Sequence, residues 1–210
     1  MHPSKKSARQ TVMACEQVES RFSAAVLVGG CSNRMGTDKA FLRVGNDLLI
    51  ERQLRCLSES GAAELLISGR TEVDYSRFSA RVVRDELPHA GPLAGVAAAL
   101  KASSWQLVFV LAVDMPKMTP AMIAKILSRC KEAAGCVPVD GHGFQPLGAA
   151  YPVSLLPLAE HLLRIGRYSM REFVGQALSE GFIQTLQLEP VEHIYFTNIN
   201  LPQEWADISD

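Results

Sequence analysis

The sequence predicts an α/β protein with a mostly parallel central sheet and helices on both faces. Three observations predict it. Short apolar runs alternate with longer segments whose apolar residues recur at helical spacing. The clearest runs are continuously apolar, as strands buried on both faces are. They also break off into glycine or short polar residues.

The elements follow in order. Ala24-Ala25-Val26-Leu27-Val28, closed by Gly29-Gly30, reads as a buried strand. Ile50, Leu54 and Leu57 then recur at helical spacing with Glu51, Arg52 and Arg55 between them, and Gly61 ends that helix. Leu65-Leu66-Ile67, closed by Ser68-Gly69, and Arg81-Val82-Val83-Arg84 are the next strands. Gly91-Pro92-Leu93-Ala94-Gly95 opens a small-residue helix running to about Leu100. Residues 107–113 form the strongest strand candidate and run into Asp114-Met115-Pro116. Thr119-Pro120 supplies an N-cap followed by proline at the first helical position, and Ile123, Ile126, Leu127 and Cys130 give that helix its apolar stripe. Cys136-Val137-Pro138-Val139 and Gly148-Ala149-Ala150-Tyr151 read as later strands. Ser169-Met170-Arg171-Glu172 has the capping-box pattern of a helix start. Residues 182–188 and Ile194-Tyr195-Phe196 are expected as the last strands.

Composition narrows the function classes. With 210 residues, 48% of them hydrophobic, the chain can bury a substantial core. Its 21 basic and 22 acidic residues leave a net charge of −1, so there is no global field for gripping long nucleic acid. No apolar run reaches the ~18–20 residues that cross a bilayer. Five cysteines, an odd number without a Cys-x-x-Cys pair, suggest neither a disulfide framework nor a zinc site. None of the five histidines pairs with a nucleophile at a recognisable spacing. Residues 1–21 hold Lys5, Lys6 and Arg9 but no apolar leader core, and are expected as a flexible extension before a single domain over 22–210. The expected compartment is the cytoplasm, with neither membrane nor nucleic acid as partner.

Ligands of open α/β sheets bind beyond the carboxyl ends of the strands. After the first strand comes Gly29-Gly30-Cys31-Ser32-Asn33-Arg34-Met35-Gly36-Thr37-Asp38-Lys39. Glycines let backbone N–H groups approach a phosphate, and Arg34 and Lys39 add two positive charges. The loop is not a P-loop, because Gly36 leads into Thr37-Asp38-Lys39, and it lacks a Gly-x-Gly-x-x-Gly fingerprint. At the end of the strongest strand, Asp114 suits Mg²⁺, which takes only one or two carboxylates beside phosphate oxygens and water. On the residues alone it equally suits a strand-closing turn. Asp85 can accept hydrogen bonds from a base edge or a ribose, or lie in a surface turn.

The segment from Leu27 to Lys39 resembles the Leu-x-Gly-Gly-x-Ser-x-Arg-Met-Gly-x-Asp-Lys signature of the molybdenum cofactor guanylyltransferases, the MobA family of nucleotidyltransferases. It departs at Val28, where the family usually has alanine. Related cytidylyl enzymes more often read Ala-Ala-Gly there. The resemblance spans 24–205 and implies a three-layer Rossmann-like nucleotidyltransferase fold. It implies that Leu27, Val28, Gly29, Gly30, Lys39, Ser68, Asp85 and Asp114 contact the nucleotide, that Arg34, Lys39 and Asp114 are catalytic, and that Asp114 holds Mg²⁺. Phe196-Thr197-Asn198-Ile199-Asn200-Leu201-Pro202 resembles the family's late Phe-x-Asn-x-Asn-x-Pro, placing Asn198 and Asn200 with Gln145 on the pterin or phosphate side. The implied reaction transfers GMP from GTP to the phosphate of Mo-molybdopterin, with molybdoenzyme-maturation proteins as further partners. Cytidylyl transfer and non-catalytic nucleotide binding stand as alternatives.

Overall fold

The computed structural model describes residues 21–29, 39–70, 72–84, 87, 90–131 and 134–199. Apart from Arg21, the expected extension lies outside them. The chain opens with β1 (Ser23–Leu27), buried at every position. A short 3₁₀ turn over Lys39–Phe41 leads into a two-stranded hairpin, β2 (Arg43–Val44) and β3 (Asp47–Leu48), and then α1 (Leu49–Glu59). β4 (Glu64–Gly69), β5 (Arg81–Arg84), α2 (Pro92–Ala102) and β6 (Leu107–Ala112) complete the first half. The second half is α3 (Pro120–Leu127), β7 (Gly135–Asp140), β8 (Gly143–Phe144), β9 (Gly148–Pro152), α4 (Leu156–Arg164), α5 (Met170–Ser179) and β10 (Ile183–Gln187).

The main sheet runs β10-β7-β9-β6-β1-β4-β5, with β8 paired to β7. β1 is parallel to both β4 and β6, and β4 to β5. β9 alone among the long strands runs against its neighbours, β6 and β7. From β1 the chain adds β4 and β5 on one side, then places β6 on the other. That reversal of direction opens a crevice at the carboxyl ends of β1 and β6.

The alternation of side chains along a strand divides the core in two. Ala24, Val26 and Val28 pack with Phe109 and Leu111 against α1 and α3. Ala25 and Leu27 pack with Val108 and Val110 against α2, α4 and α5. The expected three layers are therefore present. At the start of α3, Thr119 Oγ1 accepts from Met122 N at 3.3 Å, ahead of Pro120.

Two local expectations are corrected. Ile194-Tyr195-Phe196 is not a strand but the end of a 3₁₀ turn over Pro190–Phe196. Pro190 opens that turn, Glu192 folds back to accept from Glu189 N at 3.0 Å, and the same carboxylate meets Lys125, which holds the turn against α3. At α5 the Ser169 half of the capping box forms, with Glu172 N donating to Ser169 Oγ. The Glu172 carboxylate instead takes Arg167 at 2.5 Å and Gln176 at 3.1 Å. The β2–β3 hairpin, β8 and α4 went unread in the sequence. No helix among the described residues is long and apolar enough to cross a membrane.

Candidate active site

The parallel register places Val83, Ser68, Leu27 and Ala112 side by side across β5, β4, β1 and β6. The chain leaves the sheet just beyond this row. Val28 N donates to Ser68 O at 2.9 Å and Val113 N to Leu27 O at 3.1 Å, so the strand exits are tied to one another. Val28 buries its side chain in the core. With its N–H used, what it can offer a ligand is its carbonyl.

A pocket opens above this row, lined by Leu27, Gly29, Ser68, Gly69, Arg70, Gly91, Pro92 and Gly95. Two glycines of α2 shape it. Gly91 caps the helix at φ +67°, a conformation that suits glycine. Gly95 lets the helix lie close to the strands, since a Cβ there would stand 3.0 Å from Ser68 Oγ and 3.3 Å from Leu27 Cδ2. Among the expected nucleotide residues, Leu27, Gly29 and Ser68 line this pocket together.

Beyond the end of β6, the strand next to β1, Lys39 Nζ lies 3.2 Å from Asp114 Oδ2, each side chain about one-fifth exposed (22% and 22%). Lys39 is placed by its 3₁₀ turn, where Ala40 is fully buried and Phe41 stacks on Tyr75 with ring centroids 5.8 Å apart. Asp114 stands two residues past the end of β6, and its carbonyl accepts from Ile199 N at 2.9 Å. That bond brings the neighbouring Asn198, which is exposed, to the same edge. Gln145 enters from the loop before β9, but its amide donates to Asp140 Oδ2 at 2.8 Å. Burial alone would raise the Asp140 carboxyl. The N–H of His142, the Gln145 amide and nearby His193 outweigh it and hold the group below the ordinary carboxylate value. Gly30, Arg34, Asp85 and Asn200 lie outside the described residues; Asp85 directly follows the last residue of β5.

This layout puts a pocket at the sheet's switch point and a cation–carboxylate pair beyond the end of the neighbouring strand β6. The family model of the MobA-like NTP transferase domain matches residues 24–181. The chain belongs to the MobA-like NTP transferase family. It is 40% identical to a probable molybdenum cofactor guanylyltransferase of Opitutus terrae, over 88% of this chain and 93% of that one. It is 30% identical to a molybdenum cofactor guanylyltransferase of Syntrophotalea carbinolica, over 87% and 88%. The fold matches the crystal structure of molybdopterin-guanine dinucleotide biosynthesis protein A from Archaeoglobus fulgidus, with a TM-score of 0.70, 24% identity, and 89% and 96% of the two chains covered. It also matches 2-C-methyl-D-erythritol 4-phosphate cytidylyltransferase from Thermus thermophilus, with a TM-score of 0.68, 22% identity, and 90% and 97% covered. This MobA-like transferase is a nucleotidyltransferase enzyme of molybdenum cofactor biosynthesis.

The donor set of the MobA-like transferase fits Mg²⁺. Asp114 presents a hard carboxylate oxygen two residues past the end of β6. No group of three or more His, Cys, Asp or Glu side chains converges among the described residues. A single carboxylate is what Mg²⁺ accepts when phosphate oxygens and water fill its other positions. Sequence reasoning did not nominate Arg70, which lines the pocket. It missed Gln53, which is fully buried behind the Asp114 turn, because a glutamine between charged helix positions reads as solvent-facing.

Proposed function

We propose that this enzyme transfers GMP from GTP to the phosphate of Mo-molybdopterin, releasing pyrophosphate and forming the guanine dinucleotide form of the cofactor. The observation that carries the reading is the pairing of Lys39 with Asp114 beyond the end of β6, the strand beside β1, whose exit lines the Leu27–Ser68–Gly95 pocket. The names of the relatives support guanylyl transfer in the making of the molybdenum cofactor.

In this reading the strand exits and the α2 N-terminus receive the nucleoside, and the triphosphate runs toward Lys39. A phosphate oxygen of the pterin attacks the α-phosphorus in line. A phosphoanhydride bond forms as the bond from the α-phosphorus to the bridging oxygen breaks, and pyrophosphate departs. The nucleophile is already anionic, so no general base is needed, and catalysis is positioning plus charge stabilisation. Lys39, with Arg34 from the preceding loop, meets charge on the triphosphate and on the leaving pyrophosphate. Asp114 would hold Mg²⁺, which when bound supplies charge neutralisation at the phosphates. Gly30 and Asp85 complete the nucleotide side. Asn198, Asn200 and the Gln145 loop face the acceptor.

The test is pyrophosphate release from each nucleoside triphosphate in turn, with Mg²⁺ and Mo-molybdopterin. Turnover of GTP alone is expected. Turnover of CTP without GTP would assign a cytidylyl enzyme instead, and a folded Asp114→Ala variant as active as the parent would remove the metal role of that residue.

A further inference from the structure

The turn bearing Asp114 is held from behind by one helix. Three side chains of α1 reach it, each donating to a main-chain carbonyl. Arg52 Nε donates to Pro116 O at 2.7 Å. Gln53 Nε2 donates to Met115 O at 2.7 Å, with Val113 O at 3.3 Å and Ala112 O at 3.5 Å. Cys56 Sγ donates to Met118 O at 3.4 Å; burial pushes this thiol up to about 11, which keeps it protonated and able to donate. The contacts fall on both sides of Asp114.

Gln53 is the unusual member. It is fully buried in a face of α1 that is otherwise apolar, beside Leu49, Ile50, Leu54 and Leu57. Among the described residues its Oε1 has no hydrogen-bond partner. A buried acceptor left without a donor is unfavourable, and a side chain present only to fill space would be apolar. What the amide supplies in return is directional. Its nitrogen points at the carbonyls that flank Asp114, and these set where the Asp114 side chain leaves the backbone.

Resting on the reading of Asp114 as the cation-holding carboxylate, we infer that Gln53, seconded by Arg52, is a positioning residue for nucleotidyl transfer, fixing the turn so that the Asp114 carboxylate meets the cation and the triphosphate. Neither residue touches the nucleotide pocket, which is built by β1, β4 and α2. Its effect is therefore on metal and rate, not on grip of the nucleoside.

The experiment compares Gln53→Leu, Arg52→Met, Arg52→Lys and Asp114→Ala in the full chain. It measures kcat, KM for GTP, the half-saturating Mg²⁺ concentration, and Mn²⁺ binding by electron paramagnetic resonance with GTP present. Gln53→Leu should lower kcat by about 10- to 100-fold. It should weaken Mn²⁺ binding about tenfold and leave KM for GTP within about twofold. Arg52→Met should shift Mn²⁺ binding the same way by about threefold, and Arg52→Lys, which keeps a donor, should recover most of it. Parental kcat and Mn²⁺ affinity in both Gln53→Leu and Arg52→Met, with Asp114→Ala inactive, overturns the inference and leaves the proposed function standing. An active Asp114→Ala overturns both. If Gln53→Leu does not fold, Arg52→Met decides, because that side chain is half-buried and gives up one contact; unchanged Mn²⁺ affinity there overturns the inference.

Discussion

Replacing Lys39 by methionine separates a structural ion pair from a catalytic one. At 3.2 Å, with an effective dielectric of about 20, the gross attraction between Lys39 and Asp114 is roughly 5 kcal/mol. Both side chains are about one-fifth exposed and both give up hydration to meet, so the net coupling in the empty protein should be about 1 kcal/mol. A cation aimed at the charge on a transferring phosphoryl group is worth more, because that charge is concentrated in the transition state. Removing one preorganised stabiliser of this kind costs about 10²- to 10³-fold in rate, or roughly 2.7–4 kcal/mol. Urea unfolding of the parent, Lys39→Met, Asp114→Asn and the double variant gives the coupling, and pyrophosphate release gives the rates. The expected result is a small coupling beside a large loss of kcat in each single variant. A coupling near 3 kcal/mol with rates falling only in step with stability would make the pair a strut and refute the reasoning. So would parental turnover in Lys39→Met.

Three further outcomes test the fold. A Cβ at Gly135 would overlap the Ala150 carbonyl oxygen and stand 2.9 Å from Pro152 Cδ, so Gly135→Ala should lose about 3 kcal/mol in urea unfolding as β7 and β9 are pushed apart. Tyr151 is fully buried and its hydroxyl donates to Pro146 O at 2.7 Å; Tyr151→Phe should cost about 1–2 kcal/mol and lower the urea midpoint at unchanged slope. Burial alone would raise the Glu64 carboxyl, but Ser23, Ser104 and Arg81 hold it below its ordinary 4.5. A carboxylate lowered on folding stabilises fully above its unfolded value, and loses that contribution as pH falls through the folded one. Glu64→Gln should therefore cost about 1–2 kcal/mol at neutral pH, and the gap from the parent should narrow as pH falls below 4.5. A gap that stays constant from pH 7 to 3 would contradict this.

Much of the architecture was legible because burial on both faces leaves a plain mark. β1 and β6 are built on long apolar runs and β4 on the shorter Leu65-Leu66-Ile67, and α3 announces itself through Thr119 and Pro120. The hairpin strands are two residues each, too short for any period to show. Ile194-Tyr195-Phe196 has strand-like composition, yet the capping at Glu189 and Glu192 winds it into a 3₁₀ turn. Lys39 and Asp114 were both nominated as chemistry-bearing, but only folding shows that residues 75 apart in the chain meet. Gln53 could not be found this way, because its environment is set by a turn some 60 residues later. Gln145 was nominated by its loop, while the commitment of its amide depends on Asp140 across the β7–β9 connection.

The reversed strand β9 has a consequence for how such a site can diversify. In an all-parallel sheet the active edge receives only strand exits. Here it also receives an entrance, because the Gln145-Pro146-Leu147 loop arrives where β6 departs, and Ala112 N donates to Leu147 O at 2.8 Å. The edge beyond β6 thus receives chain from both halves of the sequence. Changes in the link between β7 and β9 can recut that contribution while the pocket at the strand exits of β1 and β4 keeps its shape.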